Sequence, residues 1–280
     1  MMFWLRSCNP LVLLVLTVMA CGTAPLNQPL AEKKSRPSPD ESPDAKKSMV
    51  QIGRGTFYFG LTEQQFQFYL SHTMMNFAGM VDQLKERLII PPRDQFEDQF
   101  YMSRFEVTNR EFKKFLLATS YRSSVRRDFL RHWKGDRYPD WAADFPVVWV
   151  SSSDAAAYCR WIGGELPSEA QWEKAARGGS GARAFPWGET PPSRSMVNCA
   201  SGQIEPVGDR AQDISPFQVY DLGGNVSEFT RSTVSNRPDE FIIRGGSFVE
   251  SGRYALVGIR LRSAGKNQRF KDVGFRCVLN

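Results

Sequence analysis

The side chains best suited to chemistry in this chain are few: five cysteines, two histidines and Ser247, which ends a Gly-Gly-Ser stretch. Thiolates hold soft metals and are oxidised, imidazoles bind zinc or move protons, and an activated serine attacks carbonyls. His72 and His132 have no ligand spacing between them, so no zinc or non-haem iron site is expected. Gly245-Gly246-Ser247 lacks the flanking glycine of a nucleophile elbow, so a Ser-His-Asp hydrolase is not expected either. Thiol chemistry remains. Cys8 and Cys21 lie at the amino terminus, whereas Cys159, Cys199 and Cys277 are spread over the remainder.

The amino terminus sets the redox compartment of those thiols. Arg6 is the only charge before an apolar run from Leu11 to Ala20. That run is too short to cross about 30 Å of hydrocarbon and fits the core of a secretory signal peptide over residues 1–20. It ends in Val18-Met19-Ala20-Cys21, which resembles the lipobox of bacterial lipoproteins. The resemblance implies cleavage before Cys21 and its lipidation by palmitate-like chains, each buried CH₂ adding about 0.8 kcal/mol of membrane affinity. Residue 22 is Gly rather than the Asp that retains such proteins in the inner membrane, so the outer membrane, facing the periplasm, is the expected location. Residues 21–48 carry the lipidated Cys and a Pro-, Ser- and charge-rich stretch that cannot bury enough apolar surface to order itself. We read it as a disordered tether. An exported chain keeps Cys159, Cys199 and Cys277 under oxidising conditions, where one disulfide plus one free thiol is the simplest count. The net charge of +6 is dispersed, with no basic run or nucleic-acid motif, so nucleic acid is not expected as a partner.

The elements that must position these residues begin near Met49. Val50 to Gly60 alternates apolar and polar residues as a strand does. From Thr62 to Leu88, Phe66, Leu70, Met74, Phe77, Val81, Leu84 and Leu88 recur at helical spacing, which predicts an amphipathic helix over about 62–88. Three further helices start at capping boxes, Thr108/Glu111, Ser151/Asp154 and Ser168/Gln171. They should run to about Ala118, Ile162 and Arg177. Beyond them the chain is loop-rich with short apolar pieces, which predicts one α+β domain over 49–280.

Those segments carry a family resemblance. Phe105-Glu106-Val107-Thr108-Asn109, Pro146-Val147-Val148-Trp149 and Tyr158-Cys159-Arg160-Trp161 come first. Leu166-Pro167-Ser168-Glu169-Ala170-Gln171-Trp172-Glu173 follows, then Pro186-Trp187-Gly188 and Gly223-Gly224-Asn225-Val226-Ser227-Glu228. Arg244-Gly245-Gly246-Ser247 and Gly274-Phe275-Arg276-Cys277 complete the order. Together they resemble the formylglycine-generating enzymes, or sulfatase-modifying factors. The resemblance implies a variant of the C-type-lectin-like α+β fold, loop-rich with short strands and a few capped helices. The predicted helix over 62–88 then stands as an insertion, either packed on the domain or presented to a partner.

The resemblance also implies a site and marks its loss. Family enzymes carry two cysteines after the Gly-Gly-Ser block that hold copper for oxidation of a substrate cysteine. Residues 247–260 contain none; the thiol positions fall on Glu250 and Ala255, or on Val249 and Tyr254, depending on the direction of counting. Formylglycine-generating activity is therefore not expected, and Ser247, Glu250 and Tyr254 become residues of a cleft without its catalytic pair. The resemblance pairs Cys159 with Cys277, leaves Cys199 free and puts it far from Ser247. It further implies a calcium site from Asn225, Val226 and Glu228, for which the alternative is a capped turn with a solvated Glu228. The resulting expectation is a pseudoenzyme: a non-catalytic envelope lipoprotein that binds or scaffolds a periplasmic or outer-membrane protein. The alternative is an oxidase of the same fold that modifies a peptide or secondary metabolite without the copper two-cysteine mechanism.

Overall fold

A computed structural model describes residues 49–71, 91–179, 181–260 and 262–280. The signal peptide, Cys21 with its tether, and residues 72–88 of the expected long helix lie outside the described residues. Alternation shapes the first strands: Val50 and Ile52 of β1 (Met49–Ile52) and Phe57 and Phe59 of β2 (Gly55–Phe59) point inward. What reads in sequence as one strand breaks at Gly53-Arg54, and the halves join different sheets. Strand β1 pairs antiparallel with β4 (Phe100–Ser103), which also pairs with β9 (Val278–Leu279), while β2 pairs with β3 (Arg93–Glu97). A third sheet has the order β7-β6-β5-β8, from β5 (Ser227–Val234), β6 (Arg237–Arg244), β7 (Arg262–Gly265) and β8 (Val273–Gly274). Small mixed sheets with separate helices make this an α+β fold.

Capping chemistry fixes where the helices start. Thr62 and Gln65 exchange side-chain and backbone hydrogen bonds of 3.2 and 3.1 Å ahead of α1 (Glu63–Ser71). Reciprocal boxes likewise open α2 (Asn109–Thr119), α3 (Ser152–Trp161) and α4 (Glu169–Arg177). Each satisfies amide groups that the first turn leaves unpaired, worth about 1 kcal/mol. The aromatic core packs between α2 and α3: Phe112, Phe115, Tyr158 and Phe275 surround the Cys159–Cys277 disulfide, whose Cα atoms are 5.5 Å apart.

Helix α4 buries charge rather than only apolar surface. Its inward side presents Trp172 together with Glu169, Glu173 and Arg177, all nearly inaccessible to solvent. Arg244 from β6 bridges both carboxylates, to Glu169 at 2.7 Å and to Glu173 at 2.6 Å. Arg260 closes one end on Glu169 at 2.6 Å, and Arg177 closes the other on Glu173 at 2.7 Å. Burial raises the Glu169 carboxyl, but Arg260 and Arg244 more than offset this and hold it below the usual range.

A second buried group frames the Gly223-Gly224-Asn225 turn. Asp213 accepts from the Gly223 amide at 3.0 Å, Asp221 from the Gly208 amide at 2.6 Å, and Glu106 from the Asn225 side chain at 3.3 Å. Burial pushes all three carboxyls up, Asp221 to about 6, and Asp221 reinforces the rise at Glu106 and Asp213.

Two outcomes follow. Cys277→Ala should lower stability in denaturant melts by up to about 4 kcal/mol under oxidising conditions, and by much less in the presence of a thiol reductant, because the bond closes a loop of separation 118. The native state keeps a proton on Asp221 that the unfolded chain releases, so its contribution is full below about pH 4 and disappears as pH rises through about 6. Asp221→Asn should therefore flatten the fall in unfolding free energy between pH 4 and 7 by up to roughly 3 kcal/mol, read from melts across that range.

Candidate functional site

The segment between β6 and β7, residues 247–260, is where the sequence resemblance leads one to expect the family's copper thiols. Close backbone approach sets its start: a Cβ on Gly246 would stand 2.5 Å from the Gly223 oxygen, so no larger residue fits. The Phe248 amide donates to the Asn225 carbonyl at 2.8 Å, and the Ser227 hydroxyl to the Gly246 carbonyl at 3.2 Å. At the other end, Arg260 is held by Glu169, and the Val257 carbonyl accepts from Arg244. Both ends thus hang on buried charge or on the glycine turn.

Ser247 is buried, with its hydroxyl 3.4 Å from Asp272 and accepting from the Val249 amide at 3.3 Å. Among the described residues no histidine stands beside it: His132 bonds Asn109 at 3.0 Å, and burial lowers that imidazole to about 4. Glu250 is half-buried; burial raises its carboxyl and the nearby Arg262 opposes the rise. Phe248 packs into a pocket of Val148 and Val226.

Tyr254 is covered by α1. Its ring meets Tyr69 edge-on at 5.8 Å, and the Arg253 guanidinium lies over both rings, at 4.7 Å from Tyr254 and 5.7 Å from Tyr69. Burial, then the hydrogen bond with Tyr254, pushes the Tyr69 phenol above its ordinary value. Leu61, Phe66, Phe185, Ala255 and Leu256 complete this cluster. Sequence reasoning identified α1 as an insertion but not what it covers. The only sequence signal was its length, which says nothing of direction.

One expectation is corrected here. Cys199 does not lie away from the segment: the Ala200 amide donates to the Glu250 carbonyl at 2.8 Å, and a Cβ on Gly252 would stand 3.5 Å from the Cys199 sulfur. The chain doubles back at 199–202 to pair with 248–250, a contact of about fifty residues' separation that local pattern does not encode. Burial raises this thiol, opposite to the shift that activates a nucleophile. Among the described residues no second free thiol accompanies it, since Cys159 and Cys277 are joined to each other. The residues present do not fit a two-thiolate copper(I) centre.

The calcium assignment is also corrected. Glu228 is not solvated, nor free for a cation: Arg276 donates to both its oxygens at 2.8 and 2.7 Å, and the Trp172 indole adds a 2.9 Å bond. The Asn225 side-chain oxygen accepts from Asn198 and the Glu205 amide, its carbonyl accepts from Phe248, and Val226 sits in the apolar pocket beneath. With its one carboxylate neutralised by a buried guanidinium, the set Asn225, Val226 and Glu228 does not fit calcium.

Comparison with known proteins agrees with this frame. Residues 33–280 match the sulfatase-modifying factor enzyme 1-like domain. The chain is 28% identical to the formylglycine-generating enzyme of Bos taurus over 320 residues, covering 90% of this chain and 78% of that one. It is 31% identical over 242 residues to the inactive C-alpha-formylglycine-generating enzyme 2 of Mus musculus, covering 67% of this chain and 77% of that one. Among solved structures, PvdO from Pseudomonas aeruginosa superposes with a TM-score of 0.59 at 24% identity, over 82% of this chain and 93% of that one. CarF gives 0.57 at 19% identity, over 82% and 97%. These two establish the shared fold. The chain belongs to the family of sulfatase-modifying factor enzyme 1-like proteins, the group that includes the formylglycine-generating enzymes.

Proposed function

We propose that this protein is a non-catalytic, lipid-anchored member of the family that binds a protein partner in the cell envelope. The observation that carries the reading is the Tyr69–Arg253–Tyr254 stack. It lays α1 over the segment where the family's enzymes hold their thiols, and it fills with aromatic surface a place that catalysis would keep open. The missing thiol pair supports it, as does the match to a relative described as inactive. The rest of the frame is retained: the turn at Asn225 and the Glu169–Arg244–Glu173 bridge still shape 247–260. A fold kept while its reagents are lost suits binding, since the family's cleft takes an extended client segment.

A single buried thiol, Cys199 against Gly252, is the one observation that favours the alternative oxidase. Incubating the purified protein with copper(I), oxygen and a CxPxR peptide separates the two readings. We expect no aldehyde by mass spectrometry above a heat-killed control. Turnover that disappears in Cys199→Ser would overturn the non-catalytic assignment.

Location rests on Val18-Met19-Ala20-Cys21 and is tested separately. Radiolabelled palmitate should enter the wild type and not Cys21→Ser, and the wild type should fractionate with the outer membrane. Equal labelling of the two would remove the anchor from the proposal.

A further inference from the structure

A second concavity, which uses none of residues 247–260, lies between one side of α3 and the β5–β6 hairpin. It encloses about 360 Å³, within the range of small-molecule sites. Ala156, Leu166 and Phe241 give it an apolar floor. Its rim holds three cations, Arg160, Arg231 and Lys266, against one carboxylate, Glu165.

The carboxylate does not balance them. Glu165 meets Arg231 at 3.3 Å through an oxygen that also accepts from Asn280 at 2.7 Å, both side chains being partly exposed. Among the described residues, neither the Arg160 guanidinium nor the Lys266 ammonium has an ion pair or hydrogen bond. Lys266 also borders a shallower depression containing Asp239 and Glu240, where Glu240 is taken by Arg237 at 2.8 Å and Ser263 at 2.6 Å.

The backbone positions that carry the two unpaired cations stand at opposite ends. The Lys266 carbonyl accepts from the Ser153 amide and the Ser152 hydroxyl, each at 3.2 Å, which fixes Lys266 beside the amino end of α3. Arg160 lies seven residues beyond Ser153 on the same lining side, about 10 Å along the helix axis. With the two side chains reaching over the groove from these positions, a ligand with two anionic ends suits them better than a compact monoanion. A guanidinium presents a planar fork that matches a carboxylate, an ammonium adds a point charge, and the apolar floor between them suits methylene groups.

We infer that this groove binds a dicarboxylate whose two carboxylates are separated by a short apolar linker. One carboxylate sits on Arg160 and the other on Lys266, with Arg231 available to either. Free dicarboxylic acids and acidic side chains spaced along a peptide both supply that chemistry.

Calorimetric titration of the full chain in detergent tests this with four probes: pimelate, acetyl-Glu-Val-Glu-amide, hexanoate and inorganic phosphate. Saturable binding is expected for pimelate, the peptide or both, the better of the two naming the source. Hexanoate and phosphate should bind at least about tenfold more weakly, and added salt should weaken the dicarboxylate. Arg160→Gln and Lys266→Gln each should weaken it by about fivefold or more, while Lys134→Gln, an exposed lysine outside the groove, should not. Hexanoate or phosphate binding as tightly as pimelate, unchanged affinity in the two groove variants, or no saturable heat for either dicarboxylate up to about 10 mM would each overturn the inference.

Discussion

Arg244 enters the interior of this protein only because two carboxylates meet it there. A lone guanidinium out of water costs many kcal/mol, and removing one partner of a buried pair typically costs about 3–5 kcal/mol. The Glu169–Arg244–Glu173 bridge, extended by Arg260 and Arg177, is therefore all-or-none. Its members come from β6, α4 and the end of the 247–260 segment, so satisfying it fixes how these parts meet. Arg177 and Glu173 further bind the carbonyl and amide of Gly60, at 2.7 Å each, which ties in the end of β2 just before α1. The geometry of the 247–260 segment thus depends on buried charge at both of its ends.

The same constraint explains the fate of Glu228. Arg276 spends its other donors on the carbonyls of Ser103, Arg104 and Tyr220, and it needs a full negative charge beside it. Glu228 supplies that charge, so its carboxylate stitches β5 to the carboxyl-terminal segment rather than serving a cation. Nearby, burial raises the carboxyls of Glu106, Asp213 and Asp221, and Arg276 opposes the rise without cancelling it. The turn at Gly223-Gly224-Asn225 is consequently built on buried acids that bond its amides and side chain, which holds the start of 247–260 in place through Asn225.

Tyr254 occupies a position that counting assigns to a catalytic cysteine, and α1 supplies Tyr69 to cover it. Helix α1, which follows β2, reaches this spot because β2 ends beside Arg177 and the 183–185 loop: Arg177 donates to the Arg183 carbonyl at 2.6 Å, and Phe68 meets Phe185 edge-on at 5.5 Å.

Local physics was legible in the sequence. Capping boxes at Thr108, Ser151 and Ser168 gave helix starts within a residue, because the groups that bond are three positions apart. The single strand expected over 50–60 split in two, because nothing local tells a Gly-Arg break to change sheets. By itself the sequence determined the capped helices, the family resemblance and the absence of two thiols between Ser247 and Arg260, since each is a matter of residue identity and short spacing. Only the tertiary structure decided that Cys199 lies against Gly252, that Glu228 belongs to Arg276, and that Arg160 shares a groove with Lys266. Those neighbours stand roughly 50 to 100 positions apart, and which distant charges meet is set by burial cost summed over the whole core.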